Sequence, residues 1–163
     1  MSDGAREVAM TDVIAVLTED HRRMRRVFEE FESLPATAHL ARSKVAARMI
    51  DLITTHAFVS REVLYPRISA LLPDHEDDIV SWRAAHRQAD EVAVQLWTMR
   101  PEDERFSDRA AALIGHLRHQ LVSQEERWFP RLVAALEPAA LERIGTELLR
   151  ARRQAPTSPR LDP

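Results

Sequence analysis

Two stretches of this chain are written to the same plan. His56-Ala-Phe-Val-Ser60, followed by Val63-Leu-Tyr-Pro66-Arg-Ile, recurs as Gln120-Leu-Val-Ser-Gln124, followed by Arg127-Trp-Phe-Pro130-Arg-Leu. His56 and Gln120, Ser60 and Gln124, and Pro66 and Pro130 are each 64 residues apart, and His21-Arg22 returns as His86-Arg87 after 65. A repeat of this length, with apolar residues every three to four positions, describes two helical hairpins carrying equivalent inward positions. One half fills those positions with His21, His56 and Ser60, and the other with His86, Gln120 and Gln124.

The apolar periodicity extends this reading to the whole chain. Residues 1–10 read as a flexible lead-in. Thr11 and Asp12 can cap a first helix to about Ser33, and Leu34-Pro35 ends it. A second helix spans about 39–72, and a third, capped by Asp74, ends near Met99. A fourth starts near Ser107 and runs to Leu136. Pro138 suits the first turn of a short fifth helix to about Arg153. The expected fold is all-α, an antiparallel up-down four-helix bundle over 11–136 with a short C-terminal helix over 137–153. Residues 154–163 have the composition of a disordered tail. Pro66 and Pro130 fall inside helices two and four, where each removes a backbone hydrogen bond and should kink its helix.

Composition narrows the chemistry. The 163 residues are 45% hydrophobic and 30% charged with only 3 glycines, a balance suited to one soluble helical domain. A net charge of −3 offers no field to attract nucleic acid or an anionic membrane. Without cysteine, a metal must be held by histidine, carboxylate, amide, hydroxyl or water. No apolar signal core and no run of about 18 apolar residues is present, so the default location is the cytoplasm. No nucleophile triad, phosphate loop or catalytic carboxylate pair points to a hydrolase or kinase, and the residues fix no oligomeric state.

Helical geometry then places the polar side chains. With Leu117 as origin and ~100° per residue, Gln120 falls at about −60° and Gln124 at about −20°, both inward. His116 falls at about −100° and His119 at about −160°, on the flank and the outer face. His21, His56 and His86 lie within the apolar stripes of the other three helices, with Ser60 one turn after His56 and Asp90 one turn after His86. A single inward histidine is ordinarily a hydrogen-bonded core residue. Three at one level each need a partner away from water, and a shared metal would satisfy all three.

These residues resemble the hemerythrin-like (HHE cation-binding) family, a four-helix bundle around a non-haem di-iron centre. In that family, helices two and four each carry His-x3-Glu before an aromatic-Pro, and helices one and three each give a histidine. Asp20-His21-Arg22, His56 with Tyr65-Pro66, His86 and Phe129-Pro130 match over about 11–136. Ser60 stands where the resemblance implies a bridging glutamate, and Gln120 and Gln124 replace the histidine and glutamate of helix four. Without those acids a pair of divalent ions would be left uncompensated in a low-dielectric core. His119 and Glu125 lie one residue from the expected ligand positions. They read first as solvated-face residues, but a π-bulge in helix four would turn them inward. Asp90 is a further acid near the site, or a polar residue at the bundle edge.

Two functions follow. In one, the histidines hold a cofactor, either a single iron or zinc ion (or an incomplete di-iron centre) completed by water or Gln124, or a haem. The resemblance implies a diatomic ligand such as oxygen or nitric oxide for such a site, in sensing, storage or detoxification. In the other, the bundle is a metal-free interaction or stress-related module whose polar core is a hydrogen-bonded network with buried water.

Overall fold

A computed structural model describes residues 11–156, 158 and 159; the proposed lead-in and most of the proposed tail lie outside the described residues. Helix α1 (Val13–Ser33) begins where the Asp12 carboxylate accepts from the Ile14 N–H at 2.7 Å. The second rod comprises α2 (His39–Val59), a π-helical turn (Ser60–Leu64) and α3 (Tyr65–Leu71). After a 3₁₀ turn over Pro73–His75 comes α4 (Glu76–Thr98). The fourth rod is α5 (Glu104–Ser123), a second π-helical turn (Gln124–Trp128) and α6 (Phe129–Ala135). Helix α7 (Pro138–Arg152) closes the chain, packing on α1 and on the first π turn.

The four-rod bundle with a short fifth helix is therefore the observed architecture, with two boundaries moved. Asp74 does not cap α4, because it sits inside the 3₁₀ turn. Helix α5 starts before Ser107, since Asp103 accepts from the Arg105 N–H at 2.9 Å and serves as its cap. Arg42 fastens the α1–α2 connection: its buried guanidinium donates to the Leu34 carbonyl and the Ser107 hydroxyl and lies over the Phe31 ring.

Both prolines act through a π turn. Pro66 and Pro130 stand one residue beyond the turns, after Tyr65 and Phe129, and the i→i+5 bonds Tyr65 N–H→Ser60 O and Phe129 N–H→Gln124 O close them. The wider turn gives the proline ring space that a regular helix denies it against the carbonyl four residues back. The two turns begin at Ser60 and Gln124, the equivalent positions of the repeat.

The interior divides into two apolar clusters. One joins Met24, Phe28, Met49, Ile53, Ala89 and Leu121 with their neighbours. The other joins Leu17, Val59, Tyr65, Ile79, Trp128 and Leu132 and is covered by Leu141, Ile144 and Leu148 of α7. Each rod passes from one cluster to the other at a polar residue: His21 between Leu17 and Met24, His56 between Ile53 and Val59, His86 between Ile79 and Ala89, Gln124 between Leu121 and Trp128. All four are buried. Each large apolar side chain buried on either side contributes roughly 1.5–3 kcal/mol, which holds the polar layer in place despite its own desolvation cost.

Candidate metal centre

The polar layer brings three imidazoles together. The ring centroids of His21 and His56 are 5.3 Å apart and those of His56 and His86 are 5.7 Å apart. Phe129, from the aromatic-Pro step, stacks on His21 with centroids 5.5 Å apart and planes inclined by 20°. Burial disfavours the imidazolium, with repulsion from His56 next, and pulls the His21 pKa down to about 4. Burial pulls His86 well below its ordinary value too. Both rings are thus neutral at physiological pH, the state in which imidazole binds a metal.

Each ring is approached at Nδ1 by an oxygen from a different rod. Glu125 Oε1 is 2.8 Å from His21 Nδ1, the Tyr65 hydroxyl is 2.9 Å from His86 Nδ1, and Asp20 Oδ2 is 3.7 Å from His56 Nδ1. A carboxylate only accepts, so neutral His21 carries its proton on Nδ1 and turns a lone pair outward at Nε2. That Nε2 is buried without a hydrogen-bond partner, as is His56 Nδ1. Asp20 is itself held by Arg152 at 2.6 Å.

Glu125 does not join the solvated face. The π turn widens the helix by one residue at Gln124, and Glu125 swings over His21 while Arg25 clamps it with two bonds of 2.8 Å. Burial pushes the Glu125 carboxyl up, but the hydrogen bonds from Arg25 and His21 outweigh it and hold the acid ionised. His119 gains nothing from the same turn and remains exposed on α5. Gln120 is only half-buried, with its amide 2.8 Å from His116 Nε2. The Ser60 hydroxyl turns back to donate to the His56 carbonyl at 2.8 Å. Asp90 is buried rather than at an edge and accepts from Arg61 at 2.7 Å. His56, His86, Asp90, Gln120 and Gln124 share a small cavity of about 10 Å³.

Arg25, Arg61 and Asp90 follow a rule of the repeat. His21 is followed four residues later by Arg25, which meets Glu125; His86 is followed four residues later by Asp90, which meets Arg61. Arg61 and Glu125 are the second residues of the two π turns. The two halves thus carry the same ion pair with its polarity reversed. This pairing is visible in the sequence once Arg25 and Asp90 are set 65 residues apart and Arg61 and Glu125 64 apart.

The donor set does not suit two ions. The bridging positions are Ser60 and Gln124, and the nearby acids Glu125, Asp90 and Asp20 are each neutralised by an arginine. Among the described residues, no three His, Asp or Glu side chains stand arranged about a common point as ligands. One ion is a closer match. About 2.1 Å from two Nε2 atoms in tetrahedral geometry, it would set ring centroids about 5 Å apart, a few tenths of an ångström inside the spacings found here.

A four-rod bundle crossed by a histidine layer, with an aromatic-Pro step beyond each π turn, defines a hemerythrin-type protein. The hemerythrin HHE cation-binding domain profile matches residues 12–132, and the chain belongs to that family. Among solved structures, the fold is similar to that of a hemerythrin HHE cation binding domain-containing protein, the Rv2633c homolog from Mycobacterium kansasii, with a TM-score of 0.71 and 18% identity over 88% of this chain and 86% of that one. No match to a curated protein was found. Helix α7 lies beyond the matched residues.

Proposed function

We propose that this hemerythrin-family chain binds one divalent metal ion, iron or zinc, through His21, His56 and His86. The observation that carries this reading is the approach of all three Nδ1 atoms by oxygen atoms of neighbouring rods. Such partners fix the tautomer and ring plane of metal-binding histidines and raise their basicity. Glu125 does so for His21 by accepting from Nδ1 at 2.8 Å and Tyr65 pairs with His86 Nδ1 at 2.9 Å, while Asp20 stands 3.7 Å from His56 Nδ1, outside hydrogen-bond reach. Bound iron would supply a redox-active centre for a small ligand such as oxygen or nitric oxide, and Gln124 lines the same small cavity as His56 and His86. The chain's own part is to keep His21 and His86 neutral and to hold all three imidazoles buried in one layer. The cavity volume of about 10 Å³ speaks against haem, which these helices would have to part to admit.

Metal-free protein titrated with ferrous or zinc ion, with calorimetry and elemental analysis as readouts, tests the proposal. One ion per chain is expected, with binding lost in His56→Ala and His86→Ala and kept in His119→Ala. Two ions per chain, or binding that survives both core substitutions, would overturn it. A chain that takes up no ion would be a bundle whose histidine layer closes around a single water, for which a cavity of this size has room.

A further inference from the structure

A second cavity reaches the histidine layer from outside. It is a cleft of about 390 Å³ between α1, α2 and the end of α7, and His56 forms part of its inner wall. His56 Nδ1 is buried and unpartnered, and it lies on the side of Asp20, another lining residue. The acid is offset within the cleft itself, because Arg152 holds Asp20 at 2.6 Å. Arg23 and Arg153, both exposed, stand at the rim with Thr55, while Asp51 also lines an adjoining groove with Arg48 and Arg23. Three guanidinium groups therefore face two carboxylates within the cleft; Arg23 also donates from Nε to Glu19 at 3.3 Å, an acid it shares with Arg22 and Arg26, so this corner of a chain of net charge −3 remains basic. Met24 and Leu52 give the wall an apolar part.

We infer that this cleft binds a small organic monocarboxylate, its charged end on Arg23 and Arg153 and its short apolar body against Met24 and Leu52. A guanidinium fork matches a carboxylate in plane and charge. The volume is at the lower end of the range for small-molecule sites. The donor set needs no metal, so this inference stands or falls separately from ion binding by the three histidines.

Amide chemical shifts of the metal-free protein, followed during titration with sodium butyrate at constant ionic strength, supply the test. Saturable shifts are expected at Thr55, His56 and Arg153, with a dissociation constant on the order of millimolar. In the Arg23→Gln/Arg153→Gln protein, whose two exposed sites leave the core untouched, binding should weaken about tenfold or more through loss of two charge-assisted contacts. 1-Butanol, with the same apolar body and no charge, should bind comparably weakly. Shifts that stay linear to about 50 mM, far above the expected constant, would overturn the inference. So would equal binding of butyrate and butanol, or an unchanged constant in the double variant.

Discussion

Glu125→Ala strips the buried His21 ring of its only hydrogen-bond partner. His21 is fully enclosed, and its Nε2 has no partner in the native protein. Removing the carboxylate leaves Nδ1–H unsatisfied too, a desolvation cost of about 1–3 kcal/mol. The Arg25 contribution is smaller, because that side chain is about one-third exposed (34%) and its charge returns to water, for about 0.5–1 kcal/mol. The sum is about 1.5–4 kcal/mol. Glu125→Gln should cost only about 1 kcal/mol, since the amide oxygen still accepts from Nδ1–H while the ion pair is lost. Arg25→Ala should fall at about 0.5–1 kcal/mol.

Urea unfolding of the metal-free variants, with slope checked for constancy, measures these differences. By melting temperature, Glu125→Ala should lose about 3–16 °C, given about 2–4 °C per kcal/mol for a domain of this size. A cycle with His21→Ala should return a coupling of at least about 1 kcal/mol. An Ala variant within about 0.5 kcal/mol of the parent, the range of ordinary surface changes, would show that the Glu125–His21 bond does not form in solution. The assignment of Glu125 to the layer would then be refuted.

Three other outcomes are expected. His21 stays neutral to about pH 4 when folded and takes a proton near 6.5 when unfolded, so its contribution is intact above 6.5 and lost as pH falls toward 4. The loss is about 3 kcal/mol from His21 alone, with His86 adding in the same direction, and urea midpoints between pH 7.5 and 4.5 should record it. Gly145→Ala should displace α7 or cost more than about 2 kcal/mol, because an added methyl overlaps the Thr11 carbonyl oxygen and crowds Val13 N; thermal melts and proteolysis of α7 would detect this. Tyr65→Phe should cost about 1 kcal/mol by leaving buried His86 Nδ1 without its partner, and it should weaken ion binding about tenfold by calorimetry.

The amphipathic stripes carried the bundle, because a 3.6-residue period with proline and cap punctuation leaves few alternatives for a chain so poor in glycine. They also carried the inward histidines, whose neighbours Leu17, Ile53 and Ala89 are themselves core residues. Glu125 was less legible, since ~100° per residue is a rule for α-helices and fails after a π turn. One inserted residue rotates everything beyond it, which is why Glu125 belongs to the layer. His119 precedes the turn and keeps its outward angle. Ser60 escaped in another way: its hydroxyl had a backbone acceptor one turn back, a choice that spacing alone does not reveal.

The reversed ion pairs explain how a layer without its bridging acids remains folded. A Glu at 60 or 124 would need a cation to justify its burial, and without one it would carry an unpaired charge in the core. Here each acid sits beside the layer, opposite an arginine: Glu125 with Arg25 on one side, Asp90 with Arg61 on the other. Both pairs join a π turn to the helix bearing the nearest histidine, and each adds no net charge. The bundle can therefore close without a metal, while His21 Nε2 and the imidazoles around it are still available to one. On the proposed reading, that combination would suit a single exchangeable ion better than a permanent pair. If it holds, restoring Ser60→Glu and Gln124→Glu together should destabilise the metal-free chain and raise its capacity above one ion.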